Sequence, residues 1–139
     1  MARLEVSGFD EFLSDLDDLV DNLDEIIDDC LDEAAPTLVE SLKSEIEQAA
    51  DRGYATGELA ASIVPTRAKA NAYGHFAAIR PVGEDERGVR NGEKLAYLEY
   101  GTSKQQPHPV MQKALKKAEP QTIETIQKRF EEHVDKIMK

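Results

Sequence analysis

Leu95-Ala96-Tyr97-Leu98-Glu99-Tyr100-Gly101-Thr102-Ser103, followed by Gln105-Gln106-Pro107-His108-Pro109-Val110-Met111, is the stretch on which the reading of this chain turns. Its aromatic and apolar alternation predicts a strand over Lys94 to Tyr100. Gly101 ends that strand, since glycine can take positive φ at the end of an element. Pro107 and Pro109 stiffen a turn, and Pro109 suits the first turn of a following helix. On such a strand Tyr97 and Tyr100 point to opposite faces, one toward a core and one toward a partner. Glu99 alternates with Leu98 and Tyr100. It is expected to face outward, paired across to a Lys or Arg or to a neighbouring subunit.

On the C-terminal side, Met111, Ala114, Leu115, Ala118, Ile123, Ile126, Phe130, Val134 and Ile137 recur at steps of three and four or their sums. That spacing predicts a helix from about Val110 to Ile137, with Pro120 expected to interrupt it. On the N-terminal side, Val82 to Lys94 is rich in charge, carries three glycines and has almost no apolar residue. It reads as an exposed, mobile loop over 82–94 with a tight-turn signal at Asn91-Gly92. Before it, Thr66 to Ala70 and Tyr73 to Pro81 read as two strands joined near Asn71. Glu58 to Ile63 opens this β-rich block, with room for one helical turn before Ile63-Val64. Arg52 to Gly57 reads as a turn.

The first third is helical in pattern. Phe9, Phe12, Leu13, Leu16, Leu19, Val20, Leu23, Ile26, Ile27, Cys30, Leu31 and Ala34 describe one helix face, continued by Leu38, Val39, Leu42, Ile46, Ala49 and Ala50. The expectation is a helical region from about Phe9 to Ala50 in two or three segments. Asn22 is a candidate break, Pro36 a start or kink, and Ser7 or Asp10 a cap. Arg3 to Ser7 alternates and is a candidate short strand. The expected fold class is α+β: an antiparallel sheet of about three to four strands packed against a long N-terminal helical region and a C-terminal helix. At 139 residues the chain fits a single domain, 1–139.

The net charge is -11 and unevenly spread. Leu4 to Leu42 has no Lys or Arg and holds 14 of the 28 acidic residues, whereas Asp51 to Ala118 has 11 basic residues against 7 acidic. This dipole suits head-to-tail contacts between copies and disfavours direct nucleic-acid binding by the N-terminal element. No apolar run spans a membrane, and the N-terminus lacks the apolar core of a secretory signal. The single cysteine, Cys30, forms no internal disulfide and fits a reducing compartment.

Reactive constellations are poorly supported. His75, His108 and His133 lack a second His or Cys at ligand spacing, so no metal site is expected. Asp28, Asp29, Asp32 and Glu33 around Cys30 raise a thiol pKa instead of lowering it, so a packed, inert thiol is expected. There is no phosphate-cradling loop, nucleophile elbow or dinucleotide fingerprint, and no cofactor is expected. A small hydrolase would require Glu99, His108 and Cys30 or a serine in one concave pocket. The acidic helix supports a different alternative. Its carboxylates could mimic DNA phosphates and inhibit a DNA-binding host protein.

Three elements, in order, carry a resemblance. Val6-Ser7-Gly8-Phe9-Asp10-Glu11 forms the first. Thr56-Gly57-Glu58-Leu59 with Ser62-Ile63 forms the second, with Ala60-Ala61 where basic residues are common. Tyr97-Leu98-Glu99-Tyr100-Gly101-Thr102-Ser103 with His108-Pro109-Val110-Met111 and Ala114-Leu115 forms the third, with Val110 in place of an aromatic. Together they resemble the head–tail joining or tail-completion family of lambda-like siphophages, including tail components of phage HK-ninety-seven type. The resemblance implies a non-enzymatic structural protein of the phage or prophage neck, found in the virion and, during assembly, in the bacterial host cytoplasm. It implies a ring of copies, six in number, against tail-terminator or head-connector proteins, with two different complementary faces on each subunit. The motif residues it marks are Gly57, Leu59, Ser62, Ile63, Tyr97, Glu99, Tyr100, Gly101, Thr102, His108 and Pro109.

Overall fold

The computed structural model describes residues 8–51 and 57–138. The candidate strand at Arg3 to Ser7, the Ser7 cap and the turn over 52–56 lie outside the described residues. The elements run α1 (Phe9–Asp21), α2 (Leu23–Asp51), α3 (Gly57–Ala61), β1 (Ile63–Pro65), β2 (Lys69–Asn71), β3 (Gly74–Phe76), β4 (Ile79–Pro81), α4 (Asn91–Tyr100) and α5 (Val110–Ile137). The fold is mixed helix and sheet, with a long N-terminal helical region, two small antiparallel two-stranded sheets and a C-terminal helix.

The N-terminal helix breaks at Asn22 and nowhere else. Asn22 N–H donates to the Asp18 carbonyl, its own carbonyl accepts from Ile26 N–H, and its side-chain amide also donates to Asp18. The hydrogen-bond ladder therefore crosses the break between α1 and α2. Asp10 lies in the first turn of α1, where its charge suits the helix dipole, but the N-cap is Gly8. Pro36 and Pro120 lie inside α2 and α5, neither of which is interrupted. Both occupy exposed positions, where long helices lose one backbone bond each and retain their packing on either side.

α2 and α5 pack antiparallel as the spine of the molecule. Near one end Ser41 Oγ donates to the Ala114 carbonyl at 2.9 Å, and the buried Glu45 pairs with Lys117. Near the other end Asp29 receives Arg129 and His133. The core lies toward the first end, where Val39, Leu42, Ile46 and Ala49 of α2 meet Leu59, Ala60, Ile63, Leu95, Leu98, Val110 and Ala114.

The four strands are successive parts of one hairpin. β1 pairs with β4 (Ile63 with Pro81) and β2 with β3 (Asn71 with Gly74). Between the pairs, Thr66 to Ala68 stand against only Ala77 and Ala78. One extra residue therefore sits in the first arm, in the manner of a bulge. The Ala68 N–H donates to Asp32 of α2 at 2.8 Å, which supplies the partner that a bulge denies a backbone amide. The expected single strand over Tyr73 to Pro81 is thus split into β3 and β4. The turn near Asn71 is as expected, closed by Tyr73 N–H donating to the Asn71 side chain.

The decisive stretch folds differently from its reading. Asn91 to Tyr100 is helix, not strand. Its buried residues are Asn91, Leu95, Leu98 and Glu99, at helical spacing on one face. Glu, Lys, Leu and Ala in this stretch are good helix formers, and the two tyrosines gave it a false strand signature. The Asn91-Gly92 pair opens the helix instead of making a hairpin turn, so the exposed loop covers 82–90. Asp85 ties that loop to itself and to α4, with Oδ1 accepting from Arg87 and Val89 N–H and Oδ2 lying 2.8 Å from Lys94 Nζ.

Candidate interaction site at the joint between α4 and α5

Most of the marked residues converge on one joint. α4 ends at Gly101, whose φ of 78 and ψ of 175 belong to a region that only glycine occupies readily. A Cβ there would lie 2.9 Å from the Gln105 carbonyl oxygen and from Pro107. The chain then makes a tight loop. Thr102 N–H donates to the Gln105 carbonyl at 2.9 Å, and Thr102 Oγ1 accepts from Lys104 N–H. His108 N–H donates to the Leu98 carbonyl at 2.7 Å, which binds the approach to α5 back onto α4. Pro109 is the N-cap of α5, and Val110 behind it is fully buried.

Glu99 closes the joint. It is 5% exposed, and its two carboxylate oxygens accept from Met111 N–H at 2.7 Å and Gln112 N–H at 3.3 Å. Val110 N–H reaches the His108 carbonyl, and Lys113 N–H reaches the Pro109 carbonyl. All four amides at the start of α5 therefore have partners. Proline cannot cap with its side chain, so a carboxylate from α4 does so, where the helix dipole also favours a negative charge. The expectation of an outward-facing Glu99 paired with a base is corrected: on a helix, its position faces inward with Leu95 and Leu98.

The same change of element moves the tyrosines. Tyr97 and Tyr100 are three residues apart on a helix, so they share one face and do not point to opposite sides. That face is open, with Tyr97 48% and Tyr100 75% exposed. Glu93 and Ala96 continue it into a shallow hollow of about 400 Å³, lined also by Pro81, Gly83, Arg90 and Gly92.

The other marked element lies beneath the joint. Leu59 and Ile63 are among the largest fully buried side chains of the core, together with Ile46 and Val110. Ser62 Oγ donates to the Leu59 carbonyl at 2.6 Å and ends α3 as the chain turns into β1. Gly57 is the first residue of α3, and its surroundings lie outside the described residues.

Two side-chain clusters were missed by sequence reasoning. His75 of β3 places Nδ1 2.8 Å from Asp28 and Nε2 3.1 Å from Asp24. The hydrogen bond to Asp28 is the main cause that raises its pKa above the usual imidazole value; desolvation opposes it, and the bond to Asp24 adds to the rise. Asp29 accepts from Arg129 Nε at 2.6 Å and lies 2.6 Å from His133 Nε2. Arg129 first and His133 second hold its carboxyl below the usual range. The available signal was the acidic run 24–32 itself, several of whose carboxylates hold partners within the fold.

Cys30 is buried, and burial, then the charge of Asp29, pushes its thiol pKa up. It lines an apolar cleft of about 270 Å³ with Ile27, Leu31, Ile126 and Phe130, toward the end of the spine away from Glu99. Cys30 therefore does not join Glu99 and His108 in one pocket. Among the described residues no helix is long and apolar enough to cross a membrane.

No family model, curated protein or solved structure matches the chain.

Proposed function

We propose that the protein is a non-enzymatic structural component of a phage or prophage neck, joining head to tail through protein–protein contacts. The observation that carries this reading is how the marked residues are used. Glu99, Gly101, Thr102, His108 and Pro109 all fix one joint, and the joint presents Tyr97 and Tyr100 outward. A pair of exposed tyrosines on a braced helix is the kind of surface on which binding energy concentrates, because the rings bring large contact area at low entropic cost. The ordered resemblance of three sequence elements to neck proteins supplies the class of partner: a tail-terminator or head-connector protein.

The alternative, an acidic decoy for a DNA-binding host protein, draws less support. Asp24 and Asp28 hold His75, Asp29 holds Arg129 and His133, Asp32 holds the bulge, and Glu45 holds Lys117. Carboxylates committed to internal partners serve poorly as a row of phosphate mimics. The α1 acids remain for that role, with exposed Glu25 and Glu40 scattered along α2.

The test is binding between the purified protein and the neck and tail proteins encoded beside its gene, followed by titration calorimetry. A saturable complex that Tyr97→Ala with Tyr100→Ala weakens by roughly tenfold or more supports the reading. Absence of binding to every neighbouring neck and tail protein overturns it. Tight binding instead to a host nuclease or repressor, lost on reversing Asp17, Asp18 and Asp21, selects the decoy.

A further inference from the structure

We infer that the molecule is two stiff bodies joined at one band, and that it bends there. The inference does not depend on the neck reading; it rests on defects that three separate elements carry at the same level.

The antiparallel spine sets the level. Ser41 meets Ala114 on one side of it, and Asp29 meets Arg129 on the other. Pro36 lies five residues before Ser41, and Pro120 six residues after Ala114. At about 1.5 Å of rise per residue, the two prolines stand level to within a few ångströms. Pro36 has no N–H for the Asp32 carbonyl, and Pro120 has none for the Lys116 carbonyl. Both helices of the spine therefore lose a bond in the same place. α5 is weakened again one turn further on, where Thr125 Oγ1 donates to the Gln121 carbonyl at 2.9 Å, a side-chain bond of the kind that bends helices. The third element is the hairpin. Its bulge at Thr66 to Ala68 is tied to Asp32, one turn from Pro36, and there Ala78 N–H donates to the Thr66 side chain instead of to a backbone carbonyl. Among the described residues, α2, α5 and the hairpin run through this level, and each has a fault in its hydrogen bonding there.

Packing is thin at the band as well. The central cluster ends with Val39 on α2 and Ala114 on α5. Next along the spine the buried residues are Ala34, Ala35 and Ala118, whose methyl groups interlock less than larger side chains. Thr122 Oγ1 is buried there without a hydrogen-bond partner. Beyond them lies the apolar cleft at Ile27, Leu31, Ile126 and Phe130, which leaves the two helices room to close or part.

On either side of the band the contacts are strong. One body holds the central cluster, the joint closed by Glu99, the pair of Glu45 with Lys117, and β1 with β4. The other holds Asp29 with Arg129 and His133, and β2 with β3 through His75 on Asp24 and Asp28. α1 joins this second body at Asn22, beside Lys136 and Ile137. Proline inside a helix is a common cause of a kink, and a hinge is a few residues that absorb backbone change while the parts they join stay intact. Bending at this band changes the angle between the α4–α5 joint and the hairpin tip without altering either.

The experiment measures backbone N–H residual dipolar couplings by NMR on the full chain, for wild type and for Pro36→Ala with Pro120→Ala. Both prolines are exposed, so the substitutions restore two helix bonds and remove no core packing. Circular dichroism checks that the variant is folded. In wild type, couplings from residues 38–49, 92–99 and 110–118 should fit one alignment, and those from 23–34 and 123–136 another of different strength, because relative motion averages the two bodies unequally. In the double variant that difference should be lost, and each single substitution should remove part of it. One alignment that already fits the whole of wild type overturns the inference. So does a wild type with two alignments that the substitutions leave unchanged.

Discussion

Glu99 and Gly101 hold the joint between α4 and α5 from two sides, one by charge and one by shape. Replacing Glu99 with Ala removes the cap from two part-buried amides of α5, and the expected loss is about 0.5–2 kcal/mol of stability. Urea denaturation checks it, and Glu99→Gln, which keeps one acceptor but brings an NH2 group to the amides, should recover only part of the loss. Gly101→Ala meets both an unfavourable backbone conformation and atoms at 2.9 Å, with an expected loss of similar size, about 1–3 kcal/mol. Tyr97→Ala and Tyr100→Ala touch an exposed face and should change stability by less than about 0.5 kcal/mol. That contrast separates residues that build the joint from residues it displays.

At the scale of elements, α2 is the support against which the hairpin and α5 are fixed by acid–base pairs of opposite pH sense. His75 has its pKa raised from 6.5 by Asp28 and then Asp24. Its contribution to stability is fully present below that unfolded value and is lost as pH rises through the higher folded one. Asp29 has its pKa lowered from 3.8 by Arg129 and then His133. Its contribution is present above 3.8 and is lost as pH falls through the lower folded value. Stability should therefore be greatest between these limits, with the alkaline decline attributable to His75 absent in His75→Ala and the acid decline reduced in Asp29→Asn. Thermal melts across pH, with a proton titration of the His75 ring by NMR, check both signs.

The elements also show what a sequence can convey. α5 follows its expected bounds because its apolar spacing is sustained over many turns, and the Asn22 break and the helical turn before Ile63 follow from local chemistry. The strand expectation at α4 arises because a window of seven residues with two tyrosines satisfies the strand pattern. Leu95, Leu98 and Glu99 carry a helical spacing in the same window, and Asn91 extends it by one turn. The inward role of Glu99 depended on that same change. The pairs of His75 with Asp28 and of Arg129 with Asp29 span 47 and 100 residues, distances at which no local pattern points to a partner.

At the scale of the molecule, the chain is a helical spine with an acidic, partly uncovered helix at one end and a basic, tyrosine-bearing face at the other. Charge segregated in sequence becomes charge segregated in space. The central claim is that the braced α4 face is where the protein meets its assembly. On the proposed neck function, the most direct measurement is electron microscopy of particles released when the gene is deleted from the phage or prophage that this function implies and supplied in trans. Wild-type protein should restore joined virions, and the Tyr97→Ala, Tyr100→Ala variant, although folded, should leave filled heads and separate tails. Joined, infectious particles in normal number from the deletion itself, or from the double variant, would contradict the account.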